Sequence, residues 1–115
     1  MQLLKSSVLI LLILFSFHAQ AKSEEWYVIL GSFPLNEQGL KAANKLREKF
    51  RTDEFNQDQL ILGESDFYQG LTKELYVVMA GAFQTQKEAK RWIVQKNIKQ
   101  IVRDVYVKKA TERRE

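Results

Sequence analysis

The sequence predicts an α+β fold in which two strand–helix units share one antiparallel sheet. Three observations carry this. An apolar and aromatic run, Trp26-Tyr27-Val28-Ile29-Leu30-Gly31-Ser32-Phe33, returns fifty positions later as Tyr76-Val77-Val78-Met79-Ala80-Gly81-Ala82-Phe83. Each copy ends in Gly-small-Phe, and each is followed by a charged stretch with helical spacing. Two further short apolar runs, Leu60-Ile61-Leu62 and Val105-Tyr106-Val107, supply the remaining strands.

The N-terminus is set apart from the fold. Lys5 gives a positive start, and an apolar run of about ten residues follows, the length of a signal-peptide core and short for a bilayer span. Ala19-Gln20-Ala21 is a small-residue cleavage signature, so residues 1–21 are expected to be a leader removed after Ala21. The alternative is an uncleaved N-terminal anchor. Cleavage removes one of the 18 basic residues, leaving a net charge of +3 against +4 for the full chain. Residues 22–115 form one domain, with a core at about 26–108 and a charged tail. The chain has no Cys, so neither a disulfide nor lipid attachment at a cysteine is available, and core packing must supply stability.

Strand one is expected over residues 26–30. Alternation puts Trp26, Val28 and Leu30 on one face and Tyr27 and Ile29 on the other. Gly31 permits a tight exit, and Pro34 stops the ladder. Asn36 caps helix one, with Glu37 in its first turn. Leu40, Ala43, Leu46 and Phe50 form its apolar stripe, and Lys41, Lys45, Arg47 and Lys49 its solvated face. Residues 51–59 are a polar loop, residues 60–62 strand two, and residues 64–74 a polar connection. Strand three covers residues 75–80. Thr85-Gln86-Lys87-Glu88 is a capping box opening helix two, which buries Ala89, Trp92 and Ile93, with Ile98 near its end. Val105 and Val107 mark strand four, and residues 108–115 read as a frayed charged end.

The order β-α-β-β-α-β, joined by right-handed crossovers, gives a ferredoxin-like split βαββαβ domain: a four-stranded antiparallel sheet with both helices on one face. The other face is expected to be open. It carries Tyr27, Ile29, Val77 and Met79, an apolar patch of the kind that binds a partner.

Catalytic and metal chemistry find little footing. The sole histidine, His18, lies in the leader, so a metal site would need carboxylates alone. Glu64 and Asp66 could pair as acids but sit in a polar turn, and Ser32 has no histidine partner. Gly31 and Gly81 are single turn glycines rather than a phosphate-cradling loop. Trp26 and Trp92 share the parity of core positions. The leader, and the lack of a basic-aromatic run, argue against a nucleic-acid partner. No cofactor is expected.

The two Gly-small-Phe runs, Glu88-Ala89 in helix two and Val105-Tyr106-Val107-Lys108 at the end resemble the SPOR domain of bacterial envelope proteins. Asp66-Phe67-Tyr68 with Leu71 resembles the Asp-x-Tyr-x-x-Leu connection of some members. The resemblance spans about residues 26–108. It implies a non-catalytic periplasmic module of the cell-division and cell-envelope machinery, binding denuded peptidoglycan glycan strands on the open sheet face. The binding residues it implies are Tyr27, Ile29, Ser32, Leu75, Val77 and Met79. The family often has Gln at the Ile29 position, Arg at Val77 and an aromatic at Leu75; Ser32 is its clearest retained polar position. That exchange leaves a second reading open, a protein–protein interaction module docking envelope or division proteins on the same face.

Overall fold

The computed structural model describes residues 24–51, 55 and 59–113. The expected leader and the exported start at Lys22 lie outside the described residues. Among the described residues no helix is long and apolar enough to cross a membrane. The elements are β1 (Glu25–Pro34), α1 (Glu37–Glu48), β2 (Leu60–Glu64), β3 (Tyr68–Gln69), β4 (Leu75–Phe83), α2 (Gln86–Gln95) and β5 (Tyr106–Glu112). Short 3₁₀ turns occupy Ser65–Phe67 and Ile98–Gln100.

The sheet is antiparallel, in the order β2-β4-β1-β5-β3. Four of its members, in the order β2-β4-β1-β5, have the split βαβ arrangement predicted from the repeat. The fifth, β3, corrects the expected four strands. It lies within the stretch read as a connection and pairs Tyr68 with Glu112 and Gln69 with Thr111. Two residues are too few to display a strand period. The same pairing explains why β5 runs on to Glu112 where a frayed end was expected: Arg113 N donates to Phe67 O at 2.8 Å and secures the end.

β3 also forces the sheet to curl. Glu64 and Tyr68 are four residues apart, a reach of about 14 Å at full extension. In a flat sheet the first and fifth strands would lie about 19 Å apart. The edges must therefore approach one another, and the Tyr68 ring does lie close to Gly63 of β2.

The helices cover the convex face. Asn36 Oδ1 accepts from Gly39 N at 2.8 Å, and Thr85 Oγ1 accepts from Glu88 N at 3.0 Å, so both predicted caps form. The Glu88 carboxylate accepts from the Thr85 hydroxyl at 3.4 Å. Asn97, left-handed at φ 53°, follows the end of α2. The main core joins Val28, Leu30, Val78, Ala80 and Phe83 from the sheet to Ala43, Phe50, Ala89, Trp92, Ile93 and Ile98.

Two details of this core differ from the periodicity. Leu40 is 36% exposed, and Gly39 holds the buried position in its place. A Cβ on Gly39 would stand 1.7 Å from Pro34 O, so only glycine lets α1 sit this close to the end of β1. Phe55, counted with a polar loop, is buried between Phe50 and Trp92, with ring centroids at 5.2 and 6.3 Å. A lone aromatic has no periodicity to reveal it.

Neither repeated glycine ends its strand. Both lie inside strands, beside bulges. Ile29 pairs with Met79 and Gly31 with Val78, so β1 carries one extra residue at Leu30. Val28 pairs with Ala80 and Trp26 with Phe83, so β4 carries one extra at Gly81-Ala82. A Cβ on Gly81 would lie 2.8 Å from the Tyr27 ring, and glycine there lets the two central strands meet.

Candidate functional site

The predicted face begins with β1 and β4. Cross-strand partners share a face, so Ile29 with Met79 and Ser32 with Val77 lie on the side away from the helices. Strict alternation would have sent Ser32 to the helix side with Leu30. The bulge at Leu30 resets the phase, bringing Ser32 to the face of Ile29 and Phe33 to the helix layer.

That face is the concave inside of the curl, and it is covered. Tyr27, Ile29 and Val77 are 2–3% exposed and Met79 is fully buried. They form a second apolar cluster with Tyr68 and Ala110, flanked by Ile61, Leu71 and Leu75. The expectation of an open apolar face is thus corrected. A strap, residues 65–74, crosses the opening and lays Tyr68 and Leu71 over the patch. The stretch read as a polar connection, yet its Tyr68 and Leu71 are the roof, while the neighbouring Phe67 is left exposed.

The strap is held by specific bonds. Leu75 N donates to Ser65 Oγ at 3.0 Å, and Ser65 is fully buried. Glu74 N donates to Asp66 Oδ1 at 2.8 Å, while Glu74 takes a left-handed φ of 62°. Asp66, Tyr68 and Leu71, the residues of the Asp-x-Tyr-x-x-Leu motif, therefore clasp and pack the strap. Burial, with the Glu112 carboxylate second, raises the pKa of Tyr68 above its ordinary value.

An opening remains at the mouth of the curl. A recess of about 210 Å³ is lined by Ile29, Ser32, Leu71, Thr72, Leu75 and Val77, with Tyr106 at its rim. Four of the six predicted residues, Ile29, Ser32, Leu75 and Val77, meet there. Tyr27 and Met79 lie in the closed interior and do not line it. Ser32 and Thr72 are exposed hydroxyls, Leu75 is half-buried, and the Tyr106 ring is 51% exposed. Sequence reasoning did not select Tyr106 or Thr72. Tyr106 carried a usable signal, since its parity in strand four opposes that of Val105 and Val107. It pairs with Ile29. Thr72 carried none.

The recess offers an aromatic ring, two hydroxyls and an apolar floor. Among the described residues no group of three or more His, Cys, Asp or Glu is placed to hold a metal ion. The domain is a curled sheet with two helices on its outer face and a small recess at its mouth. The SPOR domain family model matches residues 22–108, and the chain belongs to that family. SPOR domains are generally peptidoglycan-binding modules, non-catalytic, and occur in envelope proteins. No curated protein and no solved structure matches the chain.

Proposed function

We propose that this chain is a non-catalytic envelope module that binds peptidoglycan glycan strands stripped of stem peptides, at the mouth of the curl. In this reading the leader is removed after Ala21 and the domain acts in the periplasm. The observation that carries the proposal is the meeting of Ser32, Thr72 and the exposed Tyr106 ring over the Ile29 and Val77 floor, in a member of this family. Sugar rings present apolar faces that stack on aromatics, and hydroxyls that lose water and need replacement partners. Tyr106 supplies the first, and Ser32 and Thr72 the second. The competing reading, an apolar protein-docking face, drew on Ile29, Val77 and Met79. All three are buried and give a partner little surface.

Retention on purified sacculi, with and without amidase treatment, tests the proposal. Amidase removes stem peptides and should raise retention. Tyr106→Ala and Ser32→Ala, both at exposed positions, should lower it, with the melting midpoint unchanged. Loss of one hydroxyl partner is worth about 1 kcal/mol, roughly fivefold in affinity. Retention indifferent to amidase, or full retention of the double variant, would refute the mouth as a glycan site.

A further inference from the structure

β1 is longer than its partner on one side. β4 accompanies it as far as Pro34, whereas β5 pairs with it only over Glu25–Ile29. From Leu30 to Phe33 the strand therefore has one edge with no strand against it among the described residues. The chain that could have lain there, residues 101–105, turns away before entering β5. It leaves a groove of about 420 Å³ between Leu30–Phe33 and Val102–Asp104. A second hollow of about 380 Å³ adjoins it through Leu30, Phe33 and Val102 and runs beneath α1, where Lys45 and Lys49 stand at its rim.

We propose that this edge accepts an extended acidic peptide segment of a partner protein as an added strand. Four residues of edge offer about 13 Å of ladder, and an unpaired edge is a template for strand addition. Charge selects the occupant. Lys45 and Lys49 are exposed and have no carboxylate within ion-pair distance among the described residues. The facing wall adds Arg103, which meets only its neighbour Asp104 at 3.9 Å, with both side chains almost fully exposed. Three cations against one anion favour glutamate or aspartate in the incoming strand. Phe33, Leu46 and Val102 offer apolar contact for its alternate side chains. A second copy of this chain fits poorly. Antiparallel pairing of two β1 edges would set both α1 helices on one face and bring their lysines together. The groove shares Ile29, Ser32 and Tyr106 with the recess proposed for glycan, but strand addition uses the backbone edge of residues 30–33 and the glycan reading uses side chains at the mouth, so the two are tested by different probes.

The test is a titration of the isotopically labelled full chain, followed by backbone amide shifts. The probe is a capped octapeptide of alternating glutamate and valine. It should move the amides of residues 30–33 and 102–104. A lysine–valine octapeptide should bind at least tenfold more weakly. N-methylation of every glutamate amide, or of every valine amide, tests the ladder. Alternate amides point at the edge, so one of the two forms should lose at least tenfold. Lys45→Glu with Lys49→Glu should weaken the acidic probe about three- to tenfold. The proposal is overturned if the acidic probe leaves those amides unmoved, if both methylated forms bind like the parent, or if the lysine peptide binds as well. It is equally overturned if the same amides shift with protein concentration alone, which would make a second copy the occupant.

Discussion

Tyr27 and Tyr68 meet edge to face across the inside of the curl, with ring centroids 5.7 Å apart and planes at 79°. One ring comes from a central strand and the other from the short edge strand, so the contact ties the strap to the middle of the sheet. A residue expected to meet a ligand instead meets the chain's own roof.

Tyr27→Ala should therefore act on stability, and Tyr68→Ala with it. Each removes a ring from a buried cluster, a change that costs about 3–5 kcal/mol. Urea melts of both variants and of the double variant measure it. The double-mutant cycle should return a coupling of about 0.5–1.5 kcal/mol for the ring pair. Wild-type midpoints would mean that the strap does not roof the sheet.

The buried phenol makes stability depend on alkaline pH. In the unfolded chain Tyr68 ionises near 10.0, while burial, aided by the Glu112 carboxylate, holds the folded phenol higher. Above the unfolded value the native state therefore binds more protons than the unfolded state, and stability falls as pH rises. This contribution is complete below 10.0 and is lost as pH climbs through the folded value. Urea midpoints taken upward from about pH 9 should fall less steeply in Tyr68→Phe than in wild type. Identical slopes would count against a buried phenol.

Ser65→Ala tests the clasp of the strap. The variant leaves the Leu75 amide without its acceptor and should cost about 1–3 kcal/mol. Hydrogen exchange at the Leu75 amide should quicken more than at the Val78 amide in β4. Asp66→Asn keeps a side-chain oxygen for the Glu74 amide and should stay close to wild type. An unchanged midpoint in Ser65→Ala would show that the buried hydroxyl contributes nothing to closure.

Local chemistry was legible in the sequence. Asn36 and Thr85 cap where their side chains indicate, because capping needs only a few neighbouring residues. Ala89, Trp92 and Ile93 fall on the buried face of α2, as their spacing requires. Tyr27, Val28, Ile29 and Leu30 alternate between the two layers as their parity indicates. The features that stayed hidden depend on distant partners. β3 exists because β5 offers Thr111 and Glu112 for pairing. The closed interior results from the curl, and the curl from β3. Gly31 and Gly81 suggested turns because glycine serves bulges and turns equally. The candidate site was legible in part for the same reason. Ile29, Ser32, Leu75 and Val77 reach the mouth, whereas Tyr27 and Met79 lie deeper under a roof that local patterns do not reveal.

The extra residue at Leu30 gives the length of this segment a meaning that its composition does not have. Deleting Gly31 would remove the bulge, leaving Leu30 opposite Val78 and Ser32 still opposite Val77, so every later residue keeps its present face. Adding one residue with the single bulge kept would exchange inner and outer roles for the rest of the strand, sending the Ser32 hydroxyl into the helix layer and the Phe33 ring out to the mouth. Between Ile29 and Ser32 the chain can therefore lose a residue more readily than gain one. Single-residue insertions there should be rarer among functional variants than deletions.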